Sequence, residues 1–192
     1  MKMGARTKVQ RRRRSAEGRV GVLGRVALVA ALLAEACDPS GAKGAAHAVS
    51  DHPLLGAQAP TLDVPGPDGK GSVMLPGHAG KVVIVDFWAT WCEPCRQSFP
   101  AYQKLVDEFG GKLVVVGVSV DESPAPIRGF VSSTGVKFPI GWDEGQSAAQ
   151  SYQPPKMPTS FIVDASGIVR FVHAGFSHGD ENQVRSEVKS LL

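Results

Sequence analysis

The chain of 192 residues is poor in cysteine, in aromatic side chains and in long apolar runs. Its three cysteines include a single C-x-x-C pair, and the sequence has neither a second C-x-x-C nor an H-x-x-x-H spacing. Structural zinc sites use two such pairs, so the composition argues against a zinc-binding module. Because 43% of the residues are hydrophobic and 20% are charged, the composition excludes a disordered chain and predicts a folded domain.

Excess positive charge is absent from most of the chain. The formal net charge of +3 is the sum of a basic N-terminal part and an acidic remainder. Residues 1–25 contain nine Lys and Arg against one acid, Glu17, whereas residues 26–192 contain 12 basic and 17 acidic side chains. Nucleic-acid binding needs a basic surface that neutralises phosphates, so the acidic balance of the main part gives no support to a nucleic-acid partner.

Residues 1–37, which we call the basic head, are interpreted as a targeting segment. Four arginines at 11–14 precede nine uncharged apolar residues at 26–34, and small residues follow, which is the order of a secretory signal. Nine helical residues span about 14 Å, well below the ~30 Å of a hydrocarbon core, so a cleaved signal is favoured over a membrane anchor, which stays open. The arginine pairs also leave the twin-arginine route open, although Ser15 and Glu17 stand where that route expects apolar residues just after the pair.

Cys37 belongs to this head. The run from Leu33 to Cys37 resembles the end of a bacterial lipoprotein signal, in which a cysteine after small residues is acylated, although Glu35 lies inside the pattern. Cleavage after Ala48 would instead remove Cys37, and a free thiol is the third alternative. In the first two cases Cys37 takes no part in the redox chemistry of the folded domain.

A flexible linker is expected over residues 38–58. This stretch is rich in Ala, Gly, Ser and His and has no periodicity. His47 and His52 are interpreted as members of a solvated polar tract and not as metal ligands. The sequence therefore predicts a signal peptide, lipoprotein signal or anchor over 1–37, a linker over 38–58 and one folded domain over 59–192.

Strands alternate with helices along the folded domain. Runs of branched and aromatic residues predict strands at 82–87 and 113–120, with a one-sided helix from 99 to 109 between them. Turn signals at 67–70 and 164–167 predict hairpins, with strands at 62–64 and 72–75 and at 160–163 and 168–173. The other elements expected are helices at 127–134, 146–152 and 180–192 and a strand near 138–140. This order indicates an α/β sandwich with a mixed sheet and an added N-terminal β-hairpin.

Cys92 and Cys95 are the candidate reactive pair. Cys92 follows a strand and opens a helix, where unpaired N–H groups favour a thiolate, and Cys95 lies one helical turn later, close enough to form a disulfide. Pro94 suits the first positions of a helix. A purely structural disulfide is disfavoured because so short a loop removes little unfolded-state entropy, and a copper site with His173 or His178 is a remote alternative. The residues favour a working dithiol without metal or bound cofactor.

The motifs around this pair resemble the thioredoxin superfamily. The run W-C-E-P-C ends at Cys95 and follows V-D-F-W-A, and the runs V-V-G-V-S-V-D and M-P-T-S-F-I-V-D come later in that order. With the P-D-G-K hairpin, they are similar to its extracytoplasmic reductase branch, the ResA/TlpA group, over roughly residues 55–192. The resemblance implies a thioredoxin fold, a three-layer α/β/α sandwich, and thiol–disulfide oxidoreductase activity outside the cytoplasm.

The resemblance also implies roles at the dithiol. Cys92 would be the attacking thiolate and Cys95 the resolving cysteine. Asp86 would be a buried acid that relays the proton of Cys95, since burial raises the pKa of a carboxyl towards neutrality. The alternative for Asp86 is an exposed acid at the end of a strand. Glu93 and Pro94, between the cysteines, would tune the redox potential, and the charge of Glu93 favours a reducing protein.

Three further residues would contact the substrate. Pro158 matches the cis-proline of the family, and the backbone beside it is free to pair with an extended substrate strand. Met157 precedes it, and Trp91 would cover the cysteines. A proline that merely starts a strand and a Trp91 that fills the core are the alternatives.

Two positions depart from the ResA pattern. ResA-type proteins often carry a glutamate where this chain has Ser98, and a neutral residue where it has Asp86. These departures weaken a narrow assignment to cytochrome c maturation and leave dithiol exchange intact. We expect an enzyme that reduces disulfide-containing protein substrates with electrons from a membrane or soluble dithiol donor. A disulfide-introducing oxidant, a thiol peroxidase and a non-catalytic binding module stay open.

Overall fold

The computed structural model describes residues 47–75, 77–78 and 80–192. The predicted targeting segment with Cys37, and residues 38–46 of the predicted linker, lie outside these residues. Within the described ranges, no helix has the length and apolar character needed to span a membrane.

The described residues form seven strands and four helices, and each predicted element is present. The strands are β1 (Leu62–Pro65), β2 (Ser72–Leu75), β3 (Val82–Trp88), β4 (Leu113–Ser119), β5 (Ile140–Trp142), β6 (Thr159–Val163) and β7 (Val169–Ala174). The helices are α1 (Glu93–Phe109), α2 (Ile127–Thr134), α3 (Ser147–Tyr152) and α4 (Asp180–Ser190).

The strand expected near 138–140 begins two residues later, as β5. Phe138 is buried, and its ring packs against Phe99 with centroids 5.2 Å apart. Pro139 has no N–H to give to a ladder and only accepts, from the amide of Gly117. Pairing therefore starts at Ile140.

A mixed five-stranded sheet, in the order β5-β4-β3-β6-β7, forms the centre of the domain. The central strand β3 is parallel to β4 and antiparallel to β6, and all seven of its residues are buried. Continuous apolar character is what a strand covered on both faces requires. The mixed sheet and the α/β sandwich expected from the sequence are confirmed.

Consecutive side chains of β3 point to opposite faces, which defines the layers. The Trp88 ring contacts Phe99 of α1 and Phe130 of α2, each at 4.7 Å between centroids. The ring of Phe87 instead contacts Tyr152 of α3, at 5.1 Å. Helices α1 and α2 therefore cover one face and α3 the other. Asp86 shares the α1 face with Trp88, because two residues separate them along the strand.

The added hairpin is confirmed as a second, two-stranded sheet. Strands β1 and β2 pair antiparallel from Leu62 with Leu75 to Pro65 with Ser72. β1 comes so close to β5 that a Cβ added at Gly141 would lie 2.8 Å from Cγ1 of Val64. Glycine is therefore required at this crossing.

The prediction of a flexible linker is wrong for residues 47–58, which we call the strap. The amides of Val49 and Gly56 donate to carbonyls of β7, and Ala48 forms a bridge with His173. His52 is only 8% exposed, and its ring packs edge-on against Phe161. Such irregular pairing along a sheet edge produces no periodic sequence pattern, so composition alone indicated a solvated tract.

Candidate active site

Cys92 and Cys95 lie at the start of α1, joined by a disulfide with Cα atoms 5.3 Å apart. Cys92 is the N-cap, and the amide of Cys95 donates to its Sγ at 3.2 Å. Pro94 stands in the first turn, where an amide N–H has no helical partner. Cys92 is 4% exposed and Cys95 is fully buried, so solvent or a substrate reaches Cys92 first.

The loop between β3 and Cys92 is fixed by a buried carboxylate that sequence reasoning missed. Asp121, just after β4, accepts hydrogen bonds from the amide of Thr90 (3.1 Å), from its hydroxyl (2.7 Å) and from the hydroxyl of Ser119 (2.7 Å). Thr90 lies two residues before Cys92. The aspartate that ends the V-S-V-D run therefore fixes the backbone that leads from β3 to Cys92.

We expect Asp121→Ala to lower the free energy of unfolding by about 2–3 kcal/mol, because hydrogen bonds to a charged group contribute about 1.5–3 kcal/mol and the Thr90 donors lose their partner. Denaturant unfolding of the oxidised protein measures this change. Asp68→Ala is the matched control, since exposed Asp68 accepts one amide bond, from Lys70. Equal losses in both variants would contradict this role of Asp121.

Asp86 is fully buried on the α1 face of β3. Burial raises its pKa from 3.8 to about 7, against the opposing effect of a hydrogen bond from Ser160. Ser160 Oγ donates to Oδ1 at 2.6 Å, whereas Oδ2 has no hydrogen-bond partner among the described residues. The prediction of a buried acid is confirmed, and an exposed strand-end acid is excluded.

Met157 and Pro158 are joined by a cis peptide bond. Because Thr159 pairs with Phe87 across β6 and β3, Pro158 lies at the end of β3 from which the chain proceeds to Cys92. The carbonyl of Pro158 accepts from the amide of Gly175 at 2.7 Å. The cis-proline and the dithiol therefore occupy the same end of the sheet.

The remaining predicted residues lie around the first turn of α1. Trp91 is 70% exposed, which excludes core filling, while Trp88 is fully buried. Glu93 is exposed, and one of its oxygens lies 3.6 Å from Nε of Arg96. Ser98 is buried and donates to the carbonyl of Cys95 at 3.2 Å, so this side chain holds no charge at the position of the absent glutamate.

Three of the histidines considered as ligands form other contacts. His173 binds Glu187 of α4 and His47 binds Asp180, each at 2.6 Å. His52 lies 3.2 Å from the carbonyl of Gln153. In the part of the chain that the structure describes, no three His, Cys, Asp or Glu side chains are grouped as metal ligands would be.

Comparisons with known proteins agree with this geometry. The family model described as AhpC/TSA family matches residues 55–172. Thioredoxin-like protein YneN of Bacillus subtilis (strain 168) is 37% identical over 123 residues, which cover 62% of this chain and 71% of YneN. Thiol-disulfide oxidoreductase ResA of Bacillus thuringiensis (strain Al Hakam) is 34% identical over 116 residues, 60% of this chain and 66% of ResA. The chain thus spans just under two thirds of the length of that ResA.

A solved structure supports the same relationship. A protein from Chlorobium tepidum, described as a thiol:disulfide interchange protein DsbE, superimposes with a TM-score of 0.68 at 31% sequence identity. The match covers 74% of this chain and 99% of the other. The thioredoxin-like fold inferred from the motifs is therefore confirmed.

Proposed function

From the membership of this chain in the AhpC/TSA family, we propose that it is a thiol–disulfide oxidoreductase that reduces disulfide bonds in proteins. The observation that carries the proposal is the Cys92–Cys95 pair at the start of α1, with a backbone amide directed at the outer sulfur. The relatives described as thiol-disulfide oxidoreductases ResA support the activity.

In the first step, the Cys92 thiolate attacks a sulfur of the substrate disulfide. A bond forms between Cys92 Sγ and that sulfur, and the second substrate sulfur leaves as a thiolate. The Cys95 amide and the N-terminal end of α1 stabilise the negative charge on Cys92 before attack. Cys92 is the nucleophile because its partner Cys95 is fully buried.

In the second step, Cys95 resolves the mixed disulfide. Its thiol loses a proton, its sulfur attacks Cys92 Sγ, and the remaining substrate sulfur leaves as a thiolate. The substrate gains two electrons and the enzyme dithiol becomes a disulfide. Asp86 takes the proton of Cys95, since a pKa of about 7 lets this carboxyl both accept and release a proton near neutral pH.

Substrate docking is assigned to the end of the sheet that carries the dithiol. Pro158 has no N–H, and its carbonyl already accepts from Gly175, so the backbone of Met157, set by the cis bond, is the group that pairs with an extended substrate segment. Trp91 supports this role because its large apolar side chain is exposed beside Cys92.

Glu93 and Pro94 set the direction of exchange. The Glu93 carboxylate lies next to Cys92 and opposes its thiolate, and an exposed ion pair with Arg96 offsets little of that charge. A less stable thiolate means a less stable reduced form, and therefore a more reducing protein.

We expect the reduced protein to accelerate the reduction of insulin by dithiothreitol. The reduction potential of the Cys92–Cys95 pair, measured by equilibration with glutathione, should lie well below the ~−120 mV of DsbA and nearer the ~−270 mV of thioredoxin. A potential near −120 mV would favour a disulfide-introducing oxidant. Peroxide consumption that depends on Cys92 would point to a thiol peroxidase, and an inactive dithiol would indicate a binding module.

We assign the site of action to the outside of the cytoplasm, with electrons from a membrane or soluble dithiol donor. The basic head, apolar run and small residues at 1–37 support export, and the Leu33–Cys37 run supports a lipid anchor. Among protein substrates, the haem-binding thiols of c-type cytochromes are one class to test, with Ser98 in place of the expected glutamate as the counter-argument. Periplasmic fractionation with radiolabelled palmitate measures export and acylation together.

A further inference from the structure

A buried chain of three oxygen-bearing side chains lies on the α1 face of the sheet. Ser160 Oγ donates to Asp86 Oδ1 at 2.6 Å, and the hydroxyl of Tyr102 lies 2.8 Å from Ser160 Oγ. All three side chains are at most 1% exposed. Asp86 and Ser160 stand opposite each other in the β3–β6 register, and Tyr102 lies on α1, two turns beyond Cys95. The chain thus joins both elements that flank the dithiol.

The direction of these hydrogen bonds follows from the number of protons. A serine hydroxyl has one proton, and here it is given to Asp86. Tyr102 must therefore donate to Ser160 Oγ, so the two hydroxyls form a chain of donors that ends at Oδ1 of Asp86. Oδ2 stays without a partner among the described residues. A proton can bind to Oδ2 while Oδ1 continues to accept from Ser160, so uptake requires no rearrangement of the chain.

The other elements packed around Asp86 bring no positive charge to it. The opposite residue of β4 is Gly117, whose α1 face is covered by the Trp88 indole. On α1, the hydroxyl of Tyr102 reaches Ser160, and the other buried polar side chain of this helix, Ser98, is neutral and donates to the Cys95 carbonyl. On the described chain, the ion pairs do not include Asp86. The hydroxyl chain is therefore the source of stabilisation for its anion.

Burial keeps Tyr102 in its protonated form, and the acidic groups of Asp86 and of α4 add to this effect. Burial, followed by the charge of Asp86, raises the pKa of Tyr102 well above its ordinary value, and Asp180 and Glu187 act in the same direction. Glu187 is itself bound to His173, which pairs with Ser160 in the β6–β7 register. Tyr102 is therefore a permanent donor near neutral pH.

We propose that Ser160 and Tyr102 are positioning residues that hold Asp86 Oδ1, so that Oδ2 takes the proton of Cys95 during resolution of the mixed disulfide. The inference rests on the proposed dithiol exchange and adds two residues to it. In the step itself, the S–H bond of Cys95 breaks and an O–H bond forms at Oδ2. The Cys95 sulfur then bonds to Cys92 Sγ, and the substrate thiolate leaves with the electron pair of the broken S–S bond. Asp86 later returns its proton to solvent or to a thiolate that forms when the dithiol is reduced again.

The variants Ser160→Ala and Tyr102→Phe should raise the pH at which resolution becomes efficient. Ser160→Ala removes the single donor to the Asp86 anion, so we expect an upward shift of about one pH unit, the size of one charge-assisted hydrogen bond. Tyr102→Phe leaves Ser160 as a donor but withdraws the group that polarises it, so its shift should be smaller, a few tenths of a unit. Ser160→Thr keeps a hydroxyl and should restore the wild-type profile.

Stopped-flow oxidation of the reduced protein by dithiobis-nitrobenzoate separates the two steps. The first release of thionitrobenzoate reports attack by Cys92, and the second reports resolution by Cys95. We expect the midpoint of the second release to move with pH in the order wild type, Tyr102→Phe, Ser160→Ala, while the first keeps its rate. Carboxyl ¹³C NMR of Asp86 should show the same order of titration midpoints. Tyr152→Phe is the matched control, because Tyr152 donates to the Pro60 carbonyl at 2.7 Å and packs on the opposite face.

The outcomes distinguish this inference from the proposed function. A normal first release with second-release and NMR midpoints unchanged in both variants would overturn the inference alone. Shifts of the same size in Tyr152→Phe would also overturn it, since they would reflect a general loss of packing. A wild-type protein that gives no first release would overturn the proposed function and this inference with it.

Discussion

Replacing Cys92 with serine is expected to abolish the reduction of protein disulfides, with a loss of more than about a hundredfold, because a serine hydroxyl stays protonated near neutral pH and a thiolate is the attacking species. Cys95→Ser should behave differently. Cys92 keeps its position as N-cap and can attack, but the buried position that completes the reaction no longer carries a sulfur. The insulin assay with dithiothreitol measures the loss in both variants.

Cys95→Ser should accumulate a covalent enzyme–substrate complex. Non-reducing electrophoresis would show it as a one-to-one adduct that disappears on reduction, and Cys92→Ser is the control that forms none. The same variant, expressed in cells, captures the protein partners of the dithiol. Retained insulin reduction by the double variant, Cys92→Ser with Cys95→Ser, would show that another group performs the chemistry.

Asp86→Asn is expected to stabilise the oxidised protein at alkaline pH by about 4 kcal/mol at most, while it slows resolution. The Asp86 carboxyl has a pKa of about 7 in the folded protein and 3.8 when unfolded. Between these values the native state holds a proton that the unfolded state has released, so stability is highest below about pH 4 and falls as pH rises through 7. Three units correspond to about 4 kcal/mol. Asparagine is neutral throughout, so this loss disappears.

Denaturant unfolding of the oxidised forms from pH 4 to 9 tests this expectation. The difference between variant and wild type cancels the other titrating groups, and it should be small at pH 4 and largest at pH 9. Asp107→Asn, the same change at an exposed site on α1, should give a curve parallel to the wild type. The second thionitrobenzoate release should slow by about a hundredfold or more in Asp86→Asn. A constant stability difference across the pH range would contradict a buried, protonated Asp86.

The dithiol and its supporting strand could be predicted from the sequence because local patterns determine both. Five apolar or aromatic residues and one acid at 82–87 indicate a buried strand, and the C-x-x-C pair begins five residues after it. Asp86 was predicted through the family motif, in which the position six residues before the first cysteine holds a buried acid. The cis-proline was found through its motif, since no composition or periodicity distinguishes Pro158 from a proline that starts a strand.

Long-range polar pairing could not be predicted in this way. Ser160 lies 74 residues from Asp86, and Tyr102 looked like one more apolar position on the buried face of a helix. Only the register of β6 against β3 brings the two hydroxyls and the acid together. Asp121 escaped notice for a similar reason, because its partner Thr90 is 31 residues away. A serine within an otherwise apolar strand was the available signal, and its partner is fixed by tertiary structure.

The strap attaches the start of the described fold to the end of the sheet that carries the dithiol. The carbonyl of His47 accepts from Ala174, next to the residue whose amide reaches Pro158, so the chain enters the fold at the same end of the sheet as the dithiol. Helix α4 begins beside His47, where Asp180 binds the imidazole at 2.6 Å, and two turns later Glu187 binds His173, the neighbour of Ala174 in β7. The chain at His47 is therefore held at the reactive end of the sheet by two separate contacts, one with β7 and one with α4.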